Sequence, residues 1–228
     1  MDSRTDSESR PDHAGRPSRF YEPRNGHGLP HDPLKAIVAP RPIGWISTLD
    51  AQGRPNLAPY SFFNMIQTSP PMVMFGSDGL KHTVANAIAT GEFVFNLATR
   101  TLFDAMNASS ATLEEGSDEF AHAGLEAAPG RLVRAPRVAA SPASLECRVL
   151  QSLELLGLDG KPTGGLLVIG QVVGVHIAEG ALRDGQFDMV AAGTIARCGY
   201  RDYAQVTELF SALRPTDGGA YRPGQRDR

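Results

Sequence analysis

Residues 41–64 read RPIGWISTLDAQGRPNLAPYSFFN, and the fold is decided in this stretch. Ile43-Gly44-Trp45-Ile46-Ser47-Thr48-Leu49 is rich in β-branched and aromatic residues and predicts a strand. Asp50-Ala51-Gln52-Gly53 supplies turn chemistry, and residues 56–63 continue as a second strand, completing a hairpin. Outward from there, Met72-Val73-Met74-Phe75 is a short buried run between Pro70-Pro71 and Gly76-Ser77-Asp78-Gly79. Residues 83–89 predict a helix with Val84, Ala87 and Ile88 on one face and Gly91 just past its end. Phe93-Val94-Phe95-Asn96-Leu97 is again a strand, and residues 101–109 read as helical. The middle, 109–142, is weakly patterned and carries Pro and Gly, so it reads as a long excursion. Later strands are expected at 143–155 and 166–177; on the last, Val168, Gly170, Val172, Gly174 and His176 share a face. Repeated strands joined by turns, with few flanking helices, predict a mainly β fold, a closed or split antiparallel barrel.

The 228 residues suit one such domain, with 41% apolar and 21% charged residues as in ordinary globular chains. A formal charge of −3 provides no bulk attraction to nucleic acid or anionic lipid, so neither is an expected partner. Cys147 and Cys198 have no CxxC spacing and suggest neither a zinc cluster nor a secreted disulfide framework. Residues 1–19 lack Leu, Ile, Val and Phe, so they hold no signal-peptide core. The apolar run at 166–177 is interrupted by Gly170, Gln171, Gly174 and His176 and is too short to span a bilayer. The cytoplasm is the expected location. Residues 1–19 read as a disordered tail, 20–214 as one folded domain and 215–228 as a flexible tail.

Several catalytic signatures are missing. The chain has no GxGxxG, no P-loop and no HExxH, its histidines lack metal spacing, and residues 76–79 are not a GxSxG elbow. What stands out is a polar block between Arg41 and Asn86, where hydroxyl and amide side chains recur on segments that should be core strands. Buried polar groups need partners, and a ligand with many donors and acceptors would supply them.

RPIGWIST, NLAPYSFFN, an SPP before a strand, K-x-T before a helix and GEFVFNL occur here in that order. Asp118-Glu119-Phe120, residues 141–147, Gly170-Gln171-Val172-Val173 and Ala196-Arg197-Cys198-Gly199 follow. Over residues 20–204 this series resembles the flavin reductase-like, FMN-binding split-barrel family. The resemblance implies a homodimer with one non-covalent FMN per protomer near the dimer interface. It also implies reduction of flavin by NADH or NADPH, with reduced flavin often passed to a partner monooxygenase. Two other readings share the pocket: an FMN electron carrier or reductase of another acceptor, and a binding protein without catalysis. The order of motifs fits the related pyridoxamine-phosphate oxidase type less well.

The residues give this physical content. Ser77, Lys81 and Thr83 sit where a loop runs into a helix, and free N–H groups and the helix dipole there favour a phosphate. Lys81 is one of three lysines beside 19 arginines; His82 stands where the family often has Asp. Ser47, Thr48, Asn56, Ala58, Ser61 and Asn64 are the candidates for ring-edge contacts. A cation near flavin N1 would favour reduction, and Arg41 and His176 are the candidates. No obligatory general base is expected. Plain structural readings stand beside these. Trp45 reads as core, and His176 as a satisfied core or interface histidine. Arg41 reads equally as a pair across a dimer, Asp118 and Glu119 as surface or cap residues, and the cysteines as buried thiols. Arg197 and Tyr203 are outer-edge candidates.

Overall fold

The computed structural model describes residues 17–114 and 116–212. The tail expected at 215–228, and residues 1–16 of the one expected at 1–19, lie outside the described residues. Helix α1 (Leu34–Ile37) and strand β1 (Arg41–Pro42) precede the first hairpin, β2 (Gly44–Leu49) and β3 (Pro55–Tyr60). Then come β4 (Phe63–Thr68), β5 (Pro71–Ser77), α2 (His82–Thr90) and β6 (Glu92–Leu97). Helix α3 (Phe103–Ala108) follows, and helix α4 (Glu119–His122) and the short β7 (Ala127–Ala128) and β8 (Arg137–Val138) lie in the excursion. The long hairpin β9 (Ala143–Leu156) and β10 (Pro162–Ile177) follows, then β11 (Leu182–Arg183), β12 (Gln186–Phe187), β13 (Ile195–Arg197) and β14 (Tyr203–Gln205).

Seven strands form one antiparallel sheet in the order β3-β2-β6-β9-β10-β5-β4. The sheet curls because its two ends share a core. Ile46, Phe63, Phe75, Phe93, Cys147 and Val168 pack together with Val84 and Ala87 of α2. Gly44 permits the curl. A Cβ there would come within 2.5 Å of the Phe63 ring, so any side chain at position 44 would push β4 away. Phe63 also stacks on Phe95 of β6 at 4.7 Å. This curling gives the split barrel expected from the alternation of strands and turns.

The outer face of β2 carries a second core: Trp45, Leu57, Met106, Phe120, Val138 and Ile195. Trp45 is fully buried, as its core reading required, and its indole N–H donates to Ser109 Oγ at 2.9 Å. The first turn is an Asp50 turn, with Oδ1 accepting from the N–H groups of Gln52 and Arg54. Helix α2 ends on Gly91 in the left-handed region, φ 73°.

Three expectations need correction. The strand expected at 56–63 ends at Tyr60, the chain bends at Ser61-Phe62, and a further strand, β4, begins at Phe63. That strand shows no two-residue alternation because Asn64 to Thr68 all face solvent. The helix expected at 101–109 is shorter, and β10 begins four residues earlier than read, at Pro162.

The excursion is anchored. Glu146, fully buried on β9, accepts N–H groups from Arg131 at 2.7 Å, Leu132 at 2.6 Å and Val133 at 2.8 Å. His176 Nε2 stands 2.5 Å from Oε1, the oxygen that also accepts from Arg131. Burial works against the Glu146 charge, but His176 and the three N–H groups outweigh it and pull the carboxyl down to about 2. A carboxylate can only accept, so His176 Nε2 carries the proton of that bond.

Candidate functional site

A cleft of about 490 Å³ opens where β3, the Ser61-Phe62 bend, the end of β5 and the start of α2 meet the 109–113 segment and α4. That volume is within the ordinary range for a small-molecule or cofactor site. The strand alternation sends Asn56 and Ala58 of β3 into it, and Ser61 lines it at the bend. From β5 and the turn into α2 come Ser77, Asp78, Lys81, His82 and Thr83. Asn56 Nδ2 donates to Thr83 Oγ1 at 2.8 Å, which ties the strand to the helix start. Ser77 Oγ donates to the Gly79 carbonyl at 2.8 Å and shapes the turn.

Helix α2 has nine residues, and its N-cap position is Lys81, whose side chain makes no capping bond. Its first N–H groups therefore have no side-chain cap, and the residues there, Lys81, His82 and Thr83, line the cleft at the positive end of the helix dipole. This donor set fits a phosphate group. Tyr60 lies beneath it: burial pushes its phenol up, and hydrogen bonding toward Thr83 and Ser77 partly offsets that.

Six of the sequence-chosen residues thus meet in one cleft: Asn56, Ala58, Ser61, Ser77, Lys81 and Thr83. Five others stand elsewhere. Ser47 is fully buried and donates to the Pro136 carbonyl, while Asn96 Nδ2 donates to its hydroxyl at 3.1 Å. Thr48 is buried on the opposite face, and its Oγ1 accepts from Asn86 Nδ2 at 3.3 Å. Strand β2 lies between two cores, so both faces are covered and its hydroxyls are satisfied internally. Asn64 is exposed on β4, and its Oδ1 accepts from the Met65 N–H. Arg41 is buried and donates to the carbonyls of Lys35, Val38 and Cys198. His176 belongs to the Glu146 anchor, in keeping with its plain reading as a satisfied histidine.

Of the cleft residues that were missed, two carry charge on walls away from the helix start. Glu119 read as a surface or cap residue. Asp118 is the cap of α4, with Oδ1 accepting from Phe120 and Ala121, while Glu119 turns into the cleft and accepts the Leu57 N–H at 3.3 Å. Burial raises its carboxyl, opposed by backbone N–H groups and by His82. The sequence signal was the Asp cap itself, which fixes the next residue in the first helical turn. Lys35, the second miss, has no motif around it. Arg197 lies outside the cleft, over the Tyr203 ring at 4.5 Å.

Fold and cleft together define a split-barrel protein with an anion-receptive site at the start of one helix. The family model described as a flavin reductase-like domain matches residues 38–192. The chain belongs to that family. It is 34% identical over 188 residues to an uncharacterized protein of Halalkalibacterium halodurans, covering 80% of this chain and 90% of that one. Among solved structures it resembles nitrilotriacetate monooxygenase component B of Bacillus cereus, with TM-score 0.75 and 27% identity, over 90% of this chain and 100% of that one. It shares the fold of flavoredoxin from Desulfovibrio vulgaris (Miyazaki F), with TM-score 0.69 and 23% identity, over 80% and 94% of the two chains.

Proposed function

We propose that this protein is a flavin reductase that holds FMN non-covalently in the cleft and reduces flavin with NADH or NADPH. The observation that carries this reading is the meeting of Ser77, Lys81 and Thr83 with the uncapped start of α2, next to the amide and hydroxyl of Asn56 and Ser61. Ser77, Lys81, Thr83 and the α2 amides would take the FMN phosphate; Asn56, Ala58 and Ser61 would face the ribityl chain and ring edge. Bound there, FMN supplies two-electron chemistry, accepting a hydride equivalent from a reduced nicotinamide. The chain's own part is to bind, orient and exclude water. Hydride transfer asks for alignment more than for proton transfer.

The similarity to a monooxygenase component supports a further element of the proposal, delivery of reduced flavin to a partner oxygenase. A homodimer is also proposed. Leu150, Leu153, Leu155 and Leu156 on β9 and Met65 and Ile66 on β4 are exposed, an apolar display that a second copy would cover.

Purified protein titrated with FMN and then mixed anaerobically with NADH or NADPH tests the reading. Flavin binding followed by bleaching of its colour is the expected result. Absence of flavin binding would overturn the cofactor assignment. Binding with bleaching by dithionite alone would instead favour an electron carrier.

A further inference from the structure

Arg41 does not reach the cleft itself; it builds a platform for a residue that does. Its Nη1 donates to the carbonyls of Lys35 and Val38 and its Nη2 to that of Cys198 at 3.0 Å. The first two bonds close the carboxyl end of α1, and the third ties that turn to the end of β13. On the adjoining side Ala36 lies directly on Gly199, where a Cβ would come within 2.3 Å of the Ala36 Cβ. Only glycine lets the turn sit so close. The α1 turn is therefore fixed from two directions, although it is a single turn near the surface.

This mounting presents Lys35. Its ammonium lies 5.9 Å from the centre of the Phe62 ring, and both residues line the cleft. Among the described residues the ammonium has no ion pair and no hydrogen bond, in a chain where acids outnumber Lys and Arg by 25 to 22. Phe62 keeps 44% of its surface exposed. Two of the chain's three lysines thus open onto one cleft, Lys81 on the helix start and Lys35 on a separate wall. A single phosphate monoester held by Lys81, Ser77 and Thr83 leaves Lys35 without an anion.

We infer that Lys35 and Phe62 form a subsite for the pyrophosphate-bearing nicotinamide donor, with the ammonium reading the anion and the exposed ring offering a stacking face. This rests on the reductase reading above. Arg41 acts on the subsite through the turn it holds and through its guanidinium, which lies 5.9 Å from the centre of the Phe62 ring, and is a positioning residue. An exposed cation flanking an aromatic face suits a ligand that is both anionic and planar.

The test uses FMN-loaded protein and ADP-ribose, which carries the pyrophosphate and no nicotinamide. By calorimetric titration, wild type binds ADP-ribose and Lys35→Ala binds it about five- to tenfold more weakly, the scale of one partly exposed charge-assisted contact. FMN affinity of the variant stays within about twofold of wild type. In turnover, the ratio of kcat/KM for the charged donor to that for uncharged 1-benzyl-1,4-dihydronicotinamide falls by the same factor as the ADP-ribose affinity. Equal ADP-ribose affinities, or no binding by wild type, overturn the subsite and leave the FMN assignment standing. Equal slowing of both donors also overturns it, because Lys35 would then act on the flavin. Failure to bind FMN at all is a different result and removes the parent reading.

Discussion

Replacing Glu146 by Gln tests the anchor that fastens the excursion to the barrel. The carboxylate is fully buried and accepts three backbone N–H groups from Arg131, Leu132 and Val133, with His176 alongside. Gln keeps the shape but substitutes an NH2 for one oxygen, so at least one N–H donor faces another donor and the remaining bonds lose their charge. An unmet buried donor costs about 1–3 kcal/mol, and a bond to a charged group contributes about 1.5–3 kcal/mol. Linkage gives a second measure. The carboxyl lies at about 2 against an ordinary 4.5. At 1.36 kcal/mol per pH unit that gap corresponds to about 3 kcal/mol. Because the folded-state value is the lower one, this contribution is complete above about pH 4.5 and drains away as pH falls toward 2. Urea unfolding of both proteins at pH 7 and pH 3, followed by circular dichroism, reads the difference. The variant should be about 3 kcal/mol less stable at pH 7, with the gap narrowing by about 2 kcal/mol at pH 3. Parallel stability curves across that range, or a loss under about 1 kcal/mol at pH 7, would refute the reasoning.

Three other perturbations reach different parts of the structure. Lys81→Ala removes the one ammonium at the α2 start and should weaken FMN binding about 10- to 100-fold by flavin fluorescence titration, with the fold unchanged. Glu119→Gln removes a carboxyl that burial has raised and that shares the cleft with Lys81. In wild type the negative charge develops as pH rises through that raised value, so the variant should bind FMN more tightly at pH 8, and the difference should vanish at acid pH. Gly44→Ala puts a Cβ within 2.5 Å of the Phe63 ring and should cost about 1–3 kcal/mol by urea unfolding.

The barrel was legible because alternation, turn residues and helix stops are local. Asp50 and Gly53 mark the first hairpin, and Gly91 ends α2. The polar block also held six residues that line the cleft, since a hydroxyl or amide on a core strand signals either a ligand or an internal partner. Which of the two applies depends on what covers each face, and that is a tertiary matter. Ser47 and Thr48 sit on a strand covered on both sides and bond to internal partners, whereas Asn56, one strand over, opens onto the cleft. β4 was hidden because its residues after Phe63 face outward and leave no period to read.

From its own residues, then, the chain determined most of its strands, its helix start and the cleft-lining groups Ser77, Lys81 and Thr83, all within a few positions of one another. Only the folded structure decided where Arg41, Lys35 and Glu119 stand. Arg41 turns from the cleft to three carbonyls, one of them 157 positions away, and in doing so fixes the lysine that does face it. Hydrogen bonds that close over such separations are chosen by packing, which no window of sequence contains.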